Sequence, residues 1–265
     1  MAGERPPAVM VVVATYNERE TLPTLIARIF ATAPSVDVLV VDDNSPDGTG
    51  RWCDERAAAE PRLRCLHRPG KEGLGTAVLA GLEAAHAGGY EVVVNMDADL
   101  SHPPEALPRL IELVAGPKRV ADIAIGSRYV AGGGIRNWNW RRHVMSRLVN
   151  WYSRWVLRIP AKDCSGGYRA YRLEMLARAA ATPIRSTGYA FFEEQLWRLW
   201  LAGARIAETP IVFINRDAGQ SKANWREIMA SGWHLLKLAP AAWWSKPASN
   251  GGNFSQRNHT RENRP

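Results

Sequence analysis

The sequence predicts an α/β fold, a mostly parallel, doubly wound sheet flanked by helices in a single domain. Two observations carry this. Short apolar runs alternate with segments of helical periodicity through the first half of the chain, the pattern of repeated strand–helix units. The apolar runs also stop abruptly at polar or acidic residues, as strands do where a ligand binds beyond their carboxyl ends. With 265 residues and 46% hydrophobic content, the chain has ample material for one large core.

The elements follow in order. "AVMVVVATYN" opens with a buried strand, and Glu18 to Phe30 carries a helical period, with Asn17 as cap and Glu20 placed to complete a capping box. "VDVLVVDD" is the second strand. "SPDGTGRWCDERAAA" is the next helix, with Ser45 as cap and Pro46 at its first position. "RLRCLHR" is a third strand, "GLGTAVLAGLEAAHA" a third helix and "YEVVVNMD" a fourth strand. A helix from Pro103 to Ala115 leads to a fifth strand, "ADIAIGSRY". The pattern then changes. "VAGGGIRN" is expected to be a flexible loop, and Trp140 to Leu157 an amphipathic, basic helix with Val144, Leu148, Trp151 and Trp155 on one face. "CSGGYRAYR" gives a turn and short strand, "FFEEQLWRLWLAG" a helix, "RIAETPIVFINR" one apolar strand, and Trp225 to Leu238 a last helix. The expected organisation is one domain over 1–244, with a regular strand–helix part at about 8–130 and a part of changed pattern at about 131–244. The Gly/Asn/Arg-rich stretch 245–265 is expected to be a disordered tail.

Composition narrows the function. No apolar run is long enough to span a bilayer, and the segment before the first strand has no signal-peptide core. Three cysteines without metal spacing fit a reduced cytoplasm. The net charge of +8 implies an anionic partner: nucleic acid, a membrane surface or a phosphorylated substrate. The 11 tryptophans interleave with arginine around Trp138, Trp140, Trp151 and Trp155, and cluster again at Trp225, Trp233, Trp243 and Trp244. Such mixing suits a membrane–water interface or single-stranded nucleic acid, although Trp151 and Trp155 packed inward on the sheet is the plain alternative.

The chemistry gathers at the strand ends. In "VVVNMDADLSHPP" two carboxylates, Asp97 and Asp99, close a buried strand. If that strand continues, both point the same way, and paired carboxylates there hold a hard divalent cation such as magnesium or manganese. The rival reading makes them caps of the following helix. Asp42 fits the closing of the "DDNSPDG" turn, while Asp43 is placed to meet a nucleoside. Glu18 has the simpler alternative of a first-turn helix acid. Arg128 and Arg216 directly follow strands, where they suit phosphate. No Walker loop, G-x-G-x-x-G or catalytic triad spacing is present, and the six histidines are scattered, so hydrolase and zinc chemistry are not expected.

Taken together, "TYNERETLPTLI", "VDDNSPDGTG", "GLGTAV", "MDADLSHPP", "GSRYVAGGGI", "WRRHVMSR", "DCSGGYRAYR", "TGYAFFEEQL" and "GQSK" resemble the polyprenol-phosphate (dolichol-phosphate) mannose synthases. These are inverting glycosyltransferases of the GT-A fold, and the resemblance runs from Val9 to Leu238. It implies a GT-A sheet with amphipathic acceptor-side helices, about 8–130 being the nucleotide-sugar part and about 131–244 the acceptor- and membrane-facing part. It also implies transfer of mannose from GDP-mannose to a polyprenyl phosphate at the cytoplasmic face of a membrane, with peripheral attachment and no nucleic acid. Ala14, Tyr16, Glu18, Val41 and Asp43 would line the nucleotide-sugar pocket together with Asp97, Ala98 and Asp99. Asp97 and Asp99, with Ser101 nearby, would hold Mg2+ or Mn2+. Arg216 and Lys222 would close over the diphosphate, and Arg128, Arg142 and Ser146 would receive the acceptor phosphate. Asp99, Arg128 and Arg216 would be the catalytic set. Ala14 stands where the family usually has proline, Asn215 where it has aspartate, Gln220 where it has glutamate, and Ser101 where some relatives use glutamine. Against this stand the same acceptor with another donor such as UDP-glucose, a basic nucleic-acid-binding protein, and an inactive nucleotide-sugar sensor.

Overall fold

The computed structural model describes residues 7–179, 184, 186, 188, 190–215 and 236–240. Its strands are β1 (Val9–Thr15), β2 (Asp37–Asp42), β3 (Leu63–His67), β4 (Val92–Asp97), β5 (Ile123–Ser127), β6 (Gly134–Arg136), β7 (Arg169–Arg172), β8 (Ile206–Pro210) and β9 (Val212–Ile214). The helices are α1 (Leu22–Thr32), α2 (Thr49–Ala57), α3 (Leu74–Ala87), α4 (Leu107–Ala115), α5 (Trp140–Trp155), α6 (Leu173–Ala179) and α7 (Phe191–Leu201). The main sheet has the order β3-β2-β1-β4-β7-β5-β8 and is parallel except for β7, which runs antiparallel between β4 and β5. The expected doubly wound α/β sheet is therefore present.

Strand alternation builds two apolar layers from one sequence. Val9, Val11 and Val13 of β1 face the layer closed by Leu22, Leu25 and Ile29 of α1 and Leu107 and Leu110 of α4. Met10 and Val12 face the opposite layer, with Ala77, Val78 and Leu82 of α3 and Phe191 and Leu196 of α7. Helix α3 lies so close to the sheet that a Cβ on Gly81 would come within 2.3 Å of Val12 Cγ1.

Several boundaries differ from expectation, each for a local reason. Asn17 is left-handed (φ 59°) and caps nothing; its N–H donates to Ser45 Oγ, and α1 starts four residues after Glu18, with Thr21 as N-cap. The capping box with Glu20 is therefore absent. Ser45 and Pro46 precede α2 rather than open it: Ser45 Oγ donates to Asp42 at 2.5 Å, and Gly48 (φ 83°) supplies the N-cap conformation that L side chains resist. The Pro103–Ala115 helix begins as a 3-10 turn, Pro104–Ala106. The supposed loop "VAGGGIRN" contains β6, paired parallel with β9. The supposed single strand "RIAETPIVFINR" is split after Pro210, β8 joining the main sheet and β9 the small ribbon. Helix α6 was not foreseen. The predicted Trp140–Leu157 helix ends at Trp155, and Asn139 caps it by accepting from Arg142 N–H at 2.9 Å. Of the predicted Trp225–Leu238 helix only 236–238 fall among the described residues, and they are helical. The Trp243–Trp244 pair and the 245–265 tail lie outside them.

Candidate active site

The sheet order reverses between β1 and β4, since β1 leads outward to β2 and β3 while β4 begins the other half. Crevices at such switch points are where α/β sheets bind ligands. Strand register fills this one. Ala14 is paired with Val41 on one side and with Asp97 on the other, so three expected pocket residues form a single row. Tyr16, Asp43 and Asp99 follow on the loops beyond.

Those loops are pinned to each other. Thr15 Oγ1 donates to Asp42 Oδ1 at 3.0 Å, and the buried Asp42 carboxylate also takes the Ser45 N–H and hydroxyl. Asp42 thus closes the turn, as its sequence context implied. Glu18 N–H donates to Thr49 Oγ1 at 3.1 Å and Arg19 N–H to Asp47 Oδ2 at 3.0 Å, fixing the β1 loop against the start of α2. Asp43 is buried and accepts from Arg68 Nη1 at 2.6 Å, while Arg68 also reaches Glu72 and Thr76. Burial raises the Asp43 pKa above the usual carboxylate range, against the lowering pull of Arg68. Lys71 Nζ lies 4.9 Å from the Tyr16 ring centre. Arg68 and Lys71 were missed from sequence; the cations flanking the glycines of "RPGKEGLG" were the available signal.

Strand β4 ends at Asp97, so Asp99 lies in the turn after it rather than on a continued strand. Left-handed Leu100 (φ 62°) and the Ser101 N–H bond to Asp99 Oδ1 (3.0 Å) make that turn. Burial, and after it the neighbouring Asp99, push the Asp97 pKa up, with the His102 ring and Arg128 pulling the other way. His102, also missed, is buried and stacked on Tyr168 at 5.0 Å; its Nδ1 accepts the Asp97 N–H at 3.0 Å. Ser101 Oγ is buried without a hydrogen-bond partner. The Asp97 and Asp99 carboxylates, beside the unpartnered Ser101 hydroxyl, are a hard-oxygen set that fits a divalent cation.

On the far side of the crevice, Arg128 is buried and clamped. Its Nε and Nη2 donate to Asp163 at 2.7 Å each, Nη2 also to Ser165, and its N–H to Asp163 Oδ2 at 2.9 Å. Arg128 lies 5.3 Å and Arg142 4.2 Å from the Trp138 ring centre, and both approach Phe213. Arg142 Nη1 donates to Asn215 Oδ1 at 2.9 Å, and Tyr129 OH to Ser146 Oγ at 2.7 Å. The structure therefore gathers Arg128, Arg142 and Ser146 around one aromatic wall, and it adds Asp163, which sequence reading had not singled out. Arg216 and Lys222 lie outside the described residues.

Helix α5 borders this wall and faces outward. Trp151 is 58% and Trp155 68% exposed, and Val144, Leu148 and Trp140 are exposed with them. The alternative in which Trp151 and Trp155 pack on the sheet is overturned; Asn150 and Ser153 occupy the buried side instead. Among the described residues no helix is long and apolar enough to cross a membrane.

Comparison with known proteins gives a consistent picture. The profile described as Glycosyl transferase family 2 matches residues 10–179. The chain is 48% identical over 239 residues to the polyprenol monophosphomannose synthase of Mycolicibacterium smegmatis, covering 86% of this chain and 89% of that protein. It is 43% identical to the undecaprenyl-phosphate mannosyltransferase of Micrococcus luteus, over 89% of this chain and 96% of that one. The fold is similar to a mannosyltransferase from Pyrobaculum calidifontis solved with GDP-Man and Mn2+ (TM-score 0.60, 20% identity, 91% of this chain, 69% of that one). It is equally similar to the glucosyl-3-phosphoglycerate synthase of Mycobacterium tuberculosis solved with Mn2+, UDP and product (TM-score 0.63, 20% identity, 98% and 88%).

Proposed function

The chain belongs to glycosyl transferase family 2, and from that premise we propose that it transfers mannose from GDP-mannose to a polyprenyl phosphate with inversion. The names of its relatives at 43–48% identity support the acceptor class and the sugar. The observation that carries the reading is the division of the crevice: carboxylates at Asp97 and Asp99 on one wall, guanidinium groups at Arg128 and Arg142 on the other.

That division answers the central difficulty of the reaction, which brings two anionic phosphates together. Ala14, Val41 and Asp43, with Tyr16 and Glu18, hold the nucleoside end. Asp97, Ala98 and Asp99, with Ser101, hold the diphosphate end and the cation, Mg2+ or Mn2+. Bound there, the cation supplies Lewis-acid stabilisation of the departing diphosphate. Arg216 and Lys222 complete that charge compensation. Arg142, Ser146 and the clamped Arg128 orient the acceptor phosphate opposite the leaving group, so attack inverts the anomeric centre. A phosphate monoester is largely ionised near neutral pH, so no general base is required of the chain.

The lipid acceptor is reached by peripheral docking at the cytoplasmic face. The exposed Trp and Leu of α5 settle at headgroup level, and its arginines meet anionic lipid at roughly 1 kcal/mol each. Trp243–Trp244 are a second proposed contact. The domain reading, 1–244 with a 245–265 tail, is part of the same proposal.

A panel of radiolabelled sugar nucleotides incubated with polyprenyl phosphate and extracted into organic solvent tests the reaction. Label should enter the lipid phase from GDP-mannose and depend on the lipid; extraction only from UDP-glucose would replace the donor. Arg142→Ala should weaken use of the lipid phosphate far more than calorimetric binding of the nucleotide. Equal losses would move Arg142 to the donor side.

A further inference from the structure

Away from this crevice, α2 and β3 bring three unlike ligating groups together. Cys65 and His67 are two residues apart on β3 and share a face; Asp54 reaches them from α2. An Asp54 carboxylate oxygen, the Cys65 thiol and a His67 ring nitrogen all lie within 4.8 Å of one another, and no other group of three or more such ligands gathers this closely among the described residues. Cys65 is half-buried, whereas Asp54 and His67 are open to solvent.

A surface Asp–His ion pair would explain two of these residues. His67 Nε2 is 2.9 Å from Asp54 Oδ1, a contact that contributes little to stability at such exposure. The thiol packs partly against the core beside Cys53 and still comes within ligand distance of that pair. The helix holds its position tightly here: a Cβ on Gly50 would lie 2.7 Å from Asp42 Oδ2 and 3.0 Å from His67 Cε1. The α2 backbone therefore passes close to the His67 ring on the side away from solvent.

We infer that Asp54, Cys65 and His67 form a site for a borderline-soft divalent cation of the zinc class, separate from the hard-oxygen set at Asp97 and Asp99. Tetrahedral zinc with bonds of about 2.0–2.3 Å sets its ligand atoms roughly 3.3–3.6 Å apart. The ring–carboxylate pair has to open slightly from 2.9 Å, and the thiol to close from no more than 4.8 Å. Side-chain rotation achieves both. Sulfur and imidazole favour zinc over magnesium, so the two sites select different ions. A water completes the fourth position. The neighbouring Cys53 thiol, followed by burial, pushes the Cys65 pKa up, so capture of the cation releases a proton and weakens as pH falls. Sequence spacing hid the site because its ligands come from a helix and the strand after it. The site also touches the donor pocket indirectly: His67 precedes Arg68, which holds Asp43.

Cobalt serves as the spectroscopic probe, added in one equivalent to the full chain with excess Mg2+ covering the hard-oxygen set. The expected result is a thiolate-to-cobalt charge-transfer band with tetrahedral visible bands, displaced by zinc. It should be lost in Cys65→Ser, weakened at least tenfold in affinity in His67→Ala, and unchanged in Asp99→Ala. Absence of the band in the wild type, its survival in folded Cys65→Ser, or full affinity in His67→Ala overturns the assignment. Should Cys65→Ser fail to fold, zinc protection of Cys65 from iodoacetamide in the wild type, mapped by mass spectrometry, decides the matter: protection supports the site and none refutes it.

Discussion

Asp163→Ala puts the proposed acceptor wall to its hardest test. The Asp163 side chain is fully buried and that of Arg128 is 7% exposed. Removing the carboxylate deletes two bonds of 2.7 Å to the guanidinium and strands the N–H groups of Arg128 and Gly166, which donate at 2.9 and 3.0 Å. Breaking a buried pair by removing one partner costs about 3–5 kcal/mol, because the other charge stays buried. For a domain of this size that is a fall in melting temperature of roughly 6–20 °C. The loss is not that of two isolated residues. Arg128→Met combined with Asp163→Ala should recover part of it, since an apolar pair of similar volume is often neutral. Burial alone would raise the Asp163 pKa, but the Arg128 charge and its hydrogen bonds hold it below the usual range. Its contribution is therefore complete above the unfolded value near 3.8 and disappears as pH falls through the lower folded value. Thermal and urea melts of the two singles and the double, repeated from pH 7 down to about pH 3 around that carboxylate range, measure all of this. A cost under about 1 kcal/mol with an additive double would mean that Arg128 is not clamped, and the reasoning about its role would go with it.

Asp99→Ala should cut transfer by roughly 10²-fold or more with little change in melting temperature, and EDTA should stop the wild type until Mn2+ or Mg2+ is restored. Full activity in either case refutes the cation's role. Trp151→Ser and Trp155→Ser, at exposed sites, should leave stability within about 0.5 kcal/mol yet weaken co-sedimentation with anionic liposomes; unchanged lipid binding at low salt refutes docking through α5. Glu193 is buried, and burial pushes its pKa up to about 7. Its neutral form is the one the fold prefers, so this contribution is complete below the unfolded value of 4.5 and is lost as pH rises through about 7. Glu193→Gln should flatten stability over that interval, and an identical pH profile would show that Glu193 is not a buried acid.

The strand ends were legible because each is a local event: a valine run that stops at "TYN", "DD" or "MDAD" announces both an element and its polar terminus. Ala14, Val41 and Asp97 then fell into one row through register alone. What stayed hidden depends on distant partners. "GIR" carries no strand signal by itself, and β6 exists because Val212–Ile214 lies beside it. Arg128 reads from sequence as a phosphate-facing cation at a strand end, and nothing there announces that Asp163, 35 residues away, is folded onto it. The start of α2 was misplaced because Ser45 has a stronger partner in Asp42 than in a helix N-terminus. Trp151 and Trp155 could not be oriented from periodicity, since α5 buries its polar residues Asn150 and Ser153 and leaves the indoles outside.

The antiparallel insertion of β7 sets an order of events during synthesis. Strands β1 to β4 are contiguous in chain and in sheet, so this half can assemble as soon as it leaves the ribosome. Strand β5 follows next in the chain but has no place beside β4; both must wait until Arg169–Arg172 emerges to bridge them. During that interval β4 offers an open edge of unpaired N–H and C=O groups, the kind of surface that pairs with the wrong partner. A ribosomal pause that holds Arg169–Arg172 inside the exit tunnel would lengthen that exposure, and one after they have emerged would not.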